Sequence, residues 1–197
     1  MPDFGISLYY ADMAIEIEVK ARIKDRAALV EKLTSMSCIL SEPVVQDDTV
    51  YVENIGSTEM FMINKVFLRI RVIDDTKVIL TAKQSKDKAA RNLIKREHEV
   101  EVSSAEEARA ILTMMGYQPA VRVRKSRQTA TYGNYEICVD EIEGLGSFVE
   151  VEAMGSESQA LEVQDKLWQF LYSLDISPRD KITKGYDILM LEKCAEV

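Results

Sequence analysis

Residues 14–23 of this chain read AIEIEVKARI, with Ala14, Ile15, Ile17, Val19, Ala21 and Ile23 set against Glu16, Glu18, Lys20 and Arg22. Alternation with period two marks a strand that buries one face. Successive side chains point to opposite faces, so Glu16, Glu18, Lys20 and Arg22 share one side of the sheet. The same arithmetic puts Arg69 with Arg71, Glu97 with Glu99 and Glu101, Lys125 with Arg127, and Glu150 with Glu152. A fold for this sequence must accommodate a charged face that recurs on strand after strand.

The remaining pattern supplies the rest of the architecture. Strands are expected near 39–52, 65–74, 76–84, 92–102, 119–132, 134–142 and 147–153, with Gly133-Asn134 as a turn signal between two of them. Helices are expected over 26–37 behind Asp25 as N-cap, from the Ser104/Glu107 capping box to Met115 before Gly116, over 158–174, and near the C-terminus. The chain thus reads as α+β, with about eight strands in hairpin succession and two or three helices. So few helices cover a large sheet poorly if its charged face is merely solvated. A closed or nearly closed eight-stranded antiparallel β-barrel with flanking helices solves this, its charged faces lining a tunnel and its apolar faces packed outward.

Composition limits the partners. With 25 Lys and Arg against 33 Asp and Glu the net charge is −8, which argues against a nucleic-acid binder but leaves room for a local basic site. Cys38, Cys138 and Cys194 are odd in number and far apart, so neither a disulfide framework nor a zinc site is expected and a reducing compartment is. No apolar run approaches the roughly 18 residues of a membrane helix, and the N-terminus lacks the basic and apolar regions of a secretory signal. A cytoplasmic protein without membrane contact is expected, with residues 1–12 a flexible extension and 13–197 one domain.

A tunnel bearing both signs of charge needs a ligand, because burying unpaired ions costs several kcal/mol each. Carboxylates on adjacent strands call for a cation between them, and clustered Lys and Arg call for an anion. A metal–polyphosphate complex meets both needs: Mg²⁺ or Mn²⁺ takes hard oxygen ligands, and guanidinium groups grip phosphate oxygens in pairs.

The ordered set of motifs resembles the CYTH family, the triphosphate tunnel metalloenzymes, and within it the class IV adenylyl cyclases. The first strand carries E-x-E-x-K as Glu16-Ile17-Glu18-Val19-Lys20. Leu68-Arg69-Ile70-Arg71, Lys83 in LTAKQ, the acidic REHEVEV, Lys125 and Arg127 in RVRKSRQ, Asp140 in CVDEIEG, the GLGSFVEVE run and Tyr186 in KGYDILML follow in order. The resemblance implies Glu16, Glu18 and Glu150 as metal ligands, with Asp140 and Glu152 in support, and Mg²⁺ or Mn²⁺ as cofactor. It implies that Lys20, Arg69, Arg71, Lys83, Lys125 and Arg127 bind the triphosphate, Lys20, Lys83 and Arg127 acting directly in catalysis. It further implies a homodimer and conversion of ATP to cyclic AMP and pyrophosphate. Hydrolysis of tripolyphosphate, thiamine triphosphate or a nucleoside triphosphate is the alternative, and a non-catalytic sensor of polyphosphate or nucleotide a third reading.

Other features read as bland. His98 alternates against Glu97 and Glu99 and so points away from the tunnel, Gly144-Leu145-Gly146 is no dinucleotide fingerprint, and Trp168 falls at the helical spacing of a core residue. Residues 54–64 are expected to form a mobile loop near a tunnel mouth.

Overall fold

The computed structural model describes residues 15–53, 66–85 and 95–195; the expected N-terminal extension and the 54–64 loop lie outside them. Nine strands form one antiparallel sheet: β1 (Ile15–Arg22), β2 (Val44–Val52), β3 (Val66–Ile73), β4 (Lys77–Ser85), β5 (Lys95–Val102), β6 (Gln118–Tyr132), β7 (Tyr135–Ile142), β8 (Gly146–Gly155) and the two-residue β9 (Lys181–Ile182). Among the described residues four α-helices accompany them: α1 (Arg26–Ser35), α2 (Ala105–Met114), α3 (Ala160–Ser173) and α4 (Tyr186–Ala195).

The sheet runs in the order β5-β4-β3-β2-β6-β7-β8-β1-β9. It curls into a half-barrel in which β1 and β5, far apart along the ladder, approach to within 8 Å between Cα atoms. Among the described residues no ladder hydrogen-bonds these two strands, so the α+β barrel expected from sequence is a strongly curled sheet here, with one short strand more than the pattern indicated.

Alternation along β1 decides which side is which. Ile17, Val19, Ala21 and Ile23 are buried on the convex face with Ile137, Val139, Val149, Val151 and Ala153 of the neighbouring strands. Leu167, Trp168, Phe170 and Leu171 of α3, and Leu29 and Leu33 of α1, complete this main core. A second convex cluster joins Tyr51 and Ile70 to Ala108 and Leu112 of α2. Trp168 is therefore a core residue, and one side of the pleat is left to the concave face.

Helix ends follow local chemistry. Asp25 accepts from the Ala28 amide at 3.0 Å and Ser104 from the Glu107 amide at 3.1 Å, each satisfying an orphan donor in the first turn. Gly116 at φ +89° follows α2, a conformation that costs glycine little. On the concave side α4 seals one end of the sheet, where Tyr186, Leu189 and Met190 pack on Val123, Ile142 and Phe148 of β6, β7 and β8.

Candidate active site

The register brings every expected site residue to the concave face. Lys20 stands opposite Glu150, Glu18 opposite Glu152, Arg127 opposite Asp140, and Lys83 opposite Glu97. Across-strand neighbours then join into a chain of ion pairs. Arg127 donates from Nε to Asp140 Oδ1 at 2.7 Å and from Nη2 to Oδ2 at 2.6 Å, and the same Nη2 reaches Glu150. Lys20 Nζ lies 2.6 Å from the other Glu150 oxygen. Tyr186 donates its hydroxyl to Asp140 Oδ2 at 3.0 Å.

A second series runs over β2 to β5. Arg71 forms a two-pronged pair with Asp48, both contacts at 2.7 Å. Arg69 donates from Nη2 to Thr81 at 3.2 Å, Glu97 at 3.0 Å and Glu99 at 2.9 Å, and Lys83 lies 2.5 Å from Glu97. Glu97 and Glu99 thus face the cations of the cavity while His98, between them, is exposed on the other side. Glu101 pairs with Lys77 at 3.4 Å, away from these cations.

Acidic crowding is greatest on β1 and β8. Carboxylate oxygens of Glu16, Glu18 and Glu152 lie within 4.8 Å of one another, and Glu152 also joins Glu136 and Cys138 in a like grouping. Burial, and then the neighbouring Glu150, Glu16 and Glu18, raise the Glu152 carboxyl to about 8. Glu150 behaves oppositely: burial pushes it up, but Lys20, Arg127 and Lys125 together outweigh this and hold it well below the ordinary carboxylate range. Lys125, buried near Arg127 and Arg71, is pushed down to about 8 by burial first and by those guanidinium groups second.

Of the five expected metal ligands, Glu16, Glu18 and Glu152 converge, whereas Asp140 and Glu150 direct their oxygens to Arg127, Lys20 and Tyr186. Three mutually repelling hard-oxygen donors suit a divalent cation, which would offset the repulsion that lifts Glu152. Arg69 Nε is buried with no hydrogen-bond partner among the described residues, as is Gln46 Oε1 on the same face. An unpaired guanidinium donor inside a cavity is an opening for an anion. Asp48, Gln46 and Thr81 are site residues that sequence reasoning missed; parity along 44–52, which places Gln46, Asp48 and Val50 on one face, was the available signal.

The CYTH domain model matches residues 14–186. The chain belongs to the CYTH family. A candidate adenylate cyclase of Methanocaldococcus jannaschii is 30% identical over 174 residues, covering 87% of this chain and 96% of its own. Among solved structures, the PH1012 protein of Pyrococcus horikoshii superposes with a TM-score of 0.75 at 25% identity, covering 90% of this chain and 99% of its own. A Hippeastrum candidate adenylyl cyclase, described as having a dominant triphosphatase activity, shares the fold with a TM-score of 0.61 at 17% identity, over 92% of this chain and 96% of its own. CYTH tunnel enzymes bind triphosphates and are generally divalent-metal dependent. No helix among the described residues of this CYTH protein is long and apolar enough to cross a membrane.

Proposed function

We propose that this protein is a divalent-metal-dependent enzyme that acts on a triphosphate, converting ATP to cyclic AMP and pyrophosphate. One observation carries the reading: the Glu16–Glu18–Glu152 carboxylate cluster lies on the same concave face as the Lys20, Lys125 and Arg127 cations, and Arg69 on that face keeps a buried donor unpaired. A polyanion with its cation fits that charge pattern, and a lone anion does not explain the carboxylates.

Glu16, Glu18 and Glu152 would hold Mg²⁺ or Mn²⁺, with Asp140 and Glu150 in support by orienting Arg127 and Lys20. The bound cation would supply Lewis-acid charge stabilisation to the phosphate oxygens. Lys20, Arg69, Arg71, Lys83, Lys125 and Arg127 would bind the phosphate chain, their fixed positions offsetting charge that builds on the transferring and leaving oxygens. In cyclisation the ribose 3′-oxygen bonds to the α-phosphorus, the bond from that phosphorus to the bridging oxygen of the leaving pyrophosphate breaks, and the 3′-hydroxyl proton passes to solvent. Lys20, Lys83 and Arg127 are the residues we place closest to that charge.

Hydrolysis is the second reading, favoured by the triphosphatase activity described for the Hippeastrum protein of the same fold. A homodimer in the cytoplasm is part of the proposal; the three cysteines are unpaired, in keeping with a reducing compartment.

Incubating the protein with Mg²⁺ or Mn²⁺ and, in parallel, ATP, tripolyphosphate or thiamine triphosphate tests the proposal. Cyclic AMP with pyrophosphate supports cyclisation, and orthophosphate supports hydrolysis. Binding without product would make the protein a sensor, and neither binding nor product would reject the triphosphate reading.

A further inference from the structure

Tyr186 begins α4 and stands directly after Gly185, at the junction of the apolar seal and the charged cavity. Its contacts are unusual for a core tyrosine. The ring packs edge-on against Phe148 with centroids 5.1 Å apart, which fixes its plane. Lys20 Nζ lies 4.1 Å from the centroid of this ring, and Lys125 Nζ lies 5.3 Å from the same centroid. The hydroxyl meanwhile donates to Asp140, the carboxylate that grips Arg127 in two places.

One side chain therefore touches two cations, Lys20 of β1 and Lys125 of β6, and the carboxylate that supports a third, Arg127. Two buried ammonium groups repel, and Glu150, which pairs with Lys20 and attracts Lys125, offsets part of that repulsion. The negative face of the Tyr186 ring adds an attraction to both. Burial, aided by Glu150 and Asp140, also pushes the Tyr186 phenol well above its ordinary value, so the hydroxyl remains a donor.

The geometry points to Tyr186 as a positioning residue of the phosphate site, whose ring holds Lys20 and Lys125 at a fixed spacing and whose hydroxyl anchors Asp140 and through it Arg127. This inference rests on the triphosphate reading above and deepens it. The spacing of the two ammonium groups is set by α4, an element with no cation of its own in that pair, so a flexible anion is met by donors already in place.

Equilibrium titration of the full chain with tripolyphosphate in the presence of Mn²⁺ tests this in Tyr186→Leu and Tyr186→Phe. The Leu variant is expected to bind at least tenfold more weakly. Phe, which keeps the ring but loses the Asp140 anchor, is expected to bind about threefold more weakly than the unaltered chain. Equal affinity of the Leu variant and the unaltered chain would overturn the inference, as would a Phe variant as weak as Leu. Because Phe also keeps the packing on Phe148, the melting temperatures of both variants are measured alongside, and a loss of affinity in Leu out of proportion to its fall in melting temperature is expected from the positioning role.

If Tyr186→Leu does not fold, proton–carbon correlation NMR of the unaltered protein decides. The Lys20 and Lys125 ε-methylene protons should lie upfield of the other lysines through the ring current, and ordinary shifts for both would refute the arrangement. Failure of the unaltered chain to bind tripolyphosphate would instead reject the triphosphate reading, while the lysine shifts would still report on the ring.

Discussion

Glu152 is the residue whose surroundings make least sense without a cation. It is crowded by Glu16 and Glu18, and its carboxyl is raised to about 8. Replacing it with Gln keeps the shape and removes the repulsion, so Glu152→Gln should melt a few degrees higher than the parent without metal, yet lose at least about 100-fold in metal-dependent turnover. Calorimetry and a rate assay on the same preparation check both halves. Glu18→Ala and Glu150→Ala are expected to abolish turnover at saturating Mg²⁺ or Mn²⁺, the first by removing a metal donor and the second by releasing Lys20 and Arg127. Asp48 carries a different expectation. It is buried, and although burial alone would raise its carboxyl, Arg71 and Arg69 hold it below the usual value. Its contribution to stability is thus complete above the unfolded-state pKa of about 4 and disappears as pH falls through the lower folded value. Acid titration of Asp48→Asn should show a shallower loss of stability below about pH 4 than the parent. At neutral pH the variant should be less stable by roughly 3–5 kcal/mol in denaturant melts, since Arg71 is left buried without its partner. Charged residues at strict parity were legible in the sequence; Asp48 was harder to read, because Asp47 and Asp48 adjoin and parity groups Asp48 with Gln46 and Val50 without saying which face turns inward, whereas strand pairing shows that Asp48 faces Arg71 and Asp47 turns outward to Arg122.

Among the elements, those with local signals stood out and those made by tertiary contact did not. The Ser104/Glu107 pattern identified the start of α2, and Ser104 does cap it. Ser104→Ala should cost about 1 kcal/mol, a fall in melting temperature of about 2–4 °C for a chain of this size, with turnover unchanged because α2 lies on the convex face. The strand expected from residue 39 begins only at Val44: Pro43 has no N–H to give to a ladder. β9 is two residues long and carries no periodicity to read. A C-terminal helix was expected, but not that α4 would turn into the concavity. Its apolar residues could have packed on either side of the sheet, and the match of Tyr186 with Phe148, Ile142 and Val123 becomes visible only once the strands are aligned.

For the molecule as a whole, the net charge of −8 and a cation-lined cavity pull in opposite directions. Polyanion affinity should fall only gently as salt rises, because screening weakens the local attraction of the cavity but also relieves the repulsion of the bulk surface field. A ligand seated in the cavity would also tie strands from both ends of the ladder together. Tripolyphosphate with Mn²⁺ at about 100 times Kd is therefore expected to raise the melting temperature by about 5–10 °C, roughly 2.7 kcal/mol of linkage, and no shift would count against the site. The barrel-like curvature followed from counting charged faces against helices. Whether the ladder closes could not follow from that count, since it depends on how closely β1 and β5 meet.

The pleat of β1 gives one last consequence. Glu16, Glu18 and Lys20 serve the cavity while Ile17, Val19 and Ala21 serve the core, in strict turn. A slip of β1 by a single residue against β8 would drive carboxylates into the hydrophobic interior and turn the valine and isoleucine toward the cavity, ruining both at a stroke. Chemistry and correct threading are therefore inseparable in this strand: a molecule that turns over substrate has, by that fact, certified its own assembly.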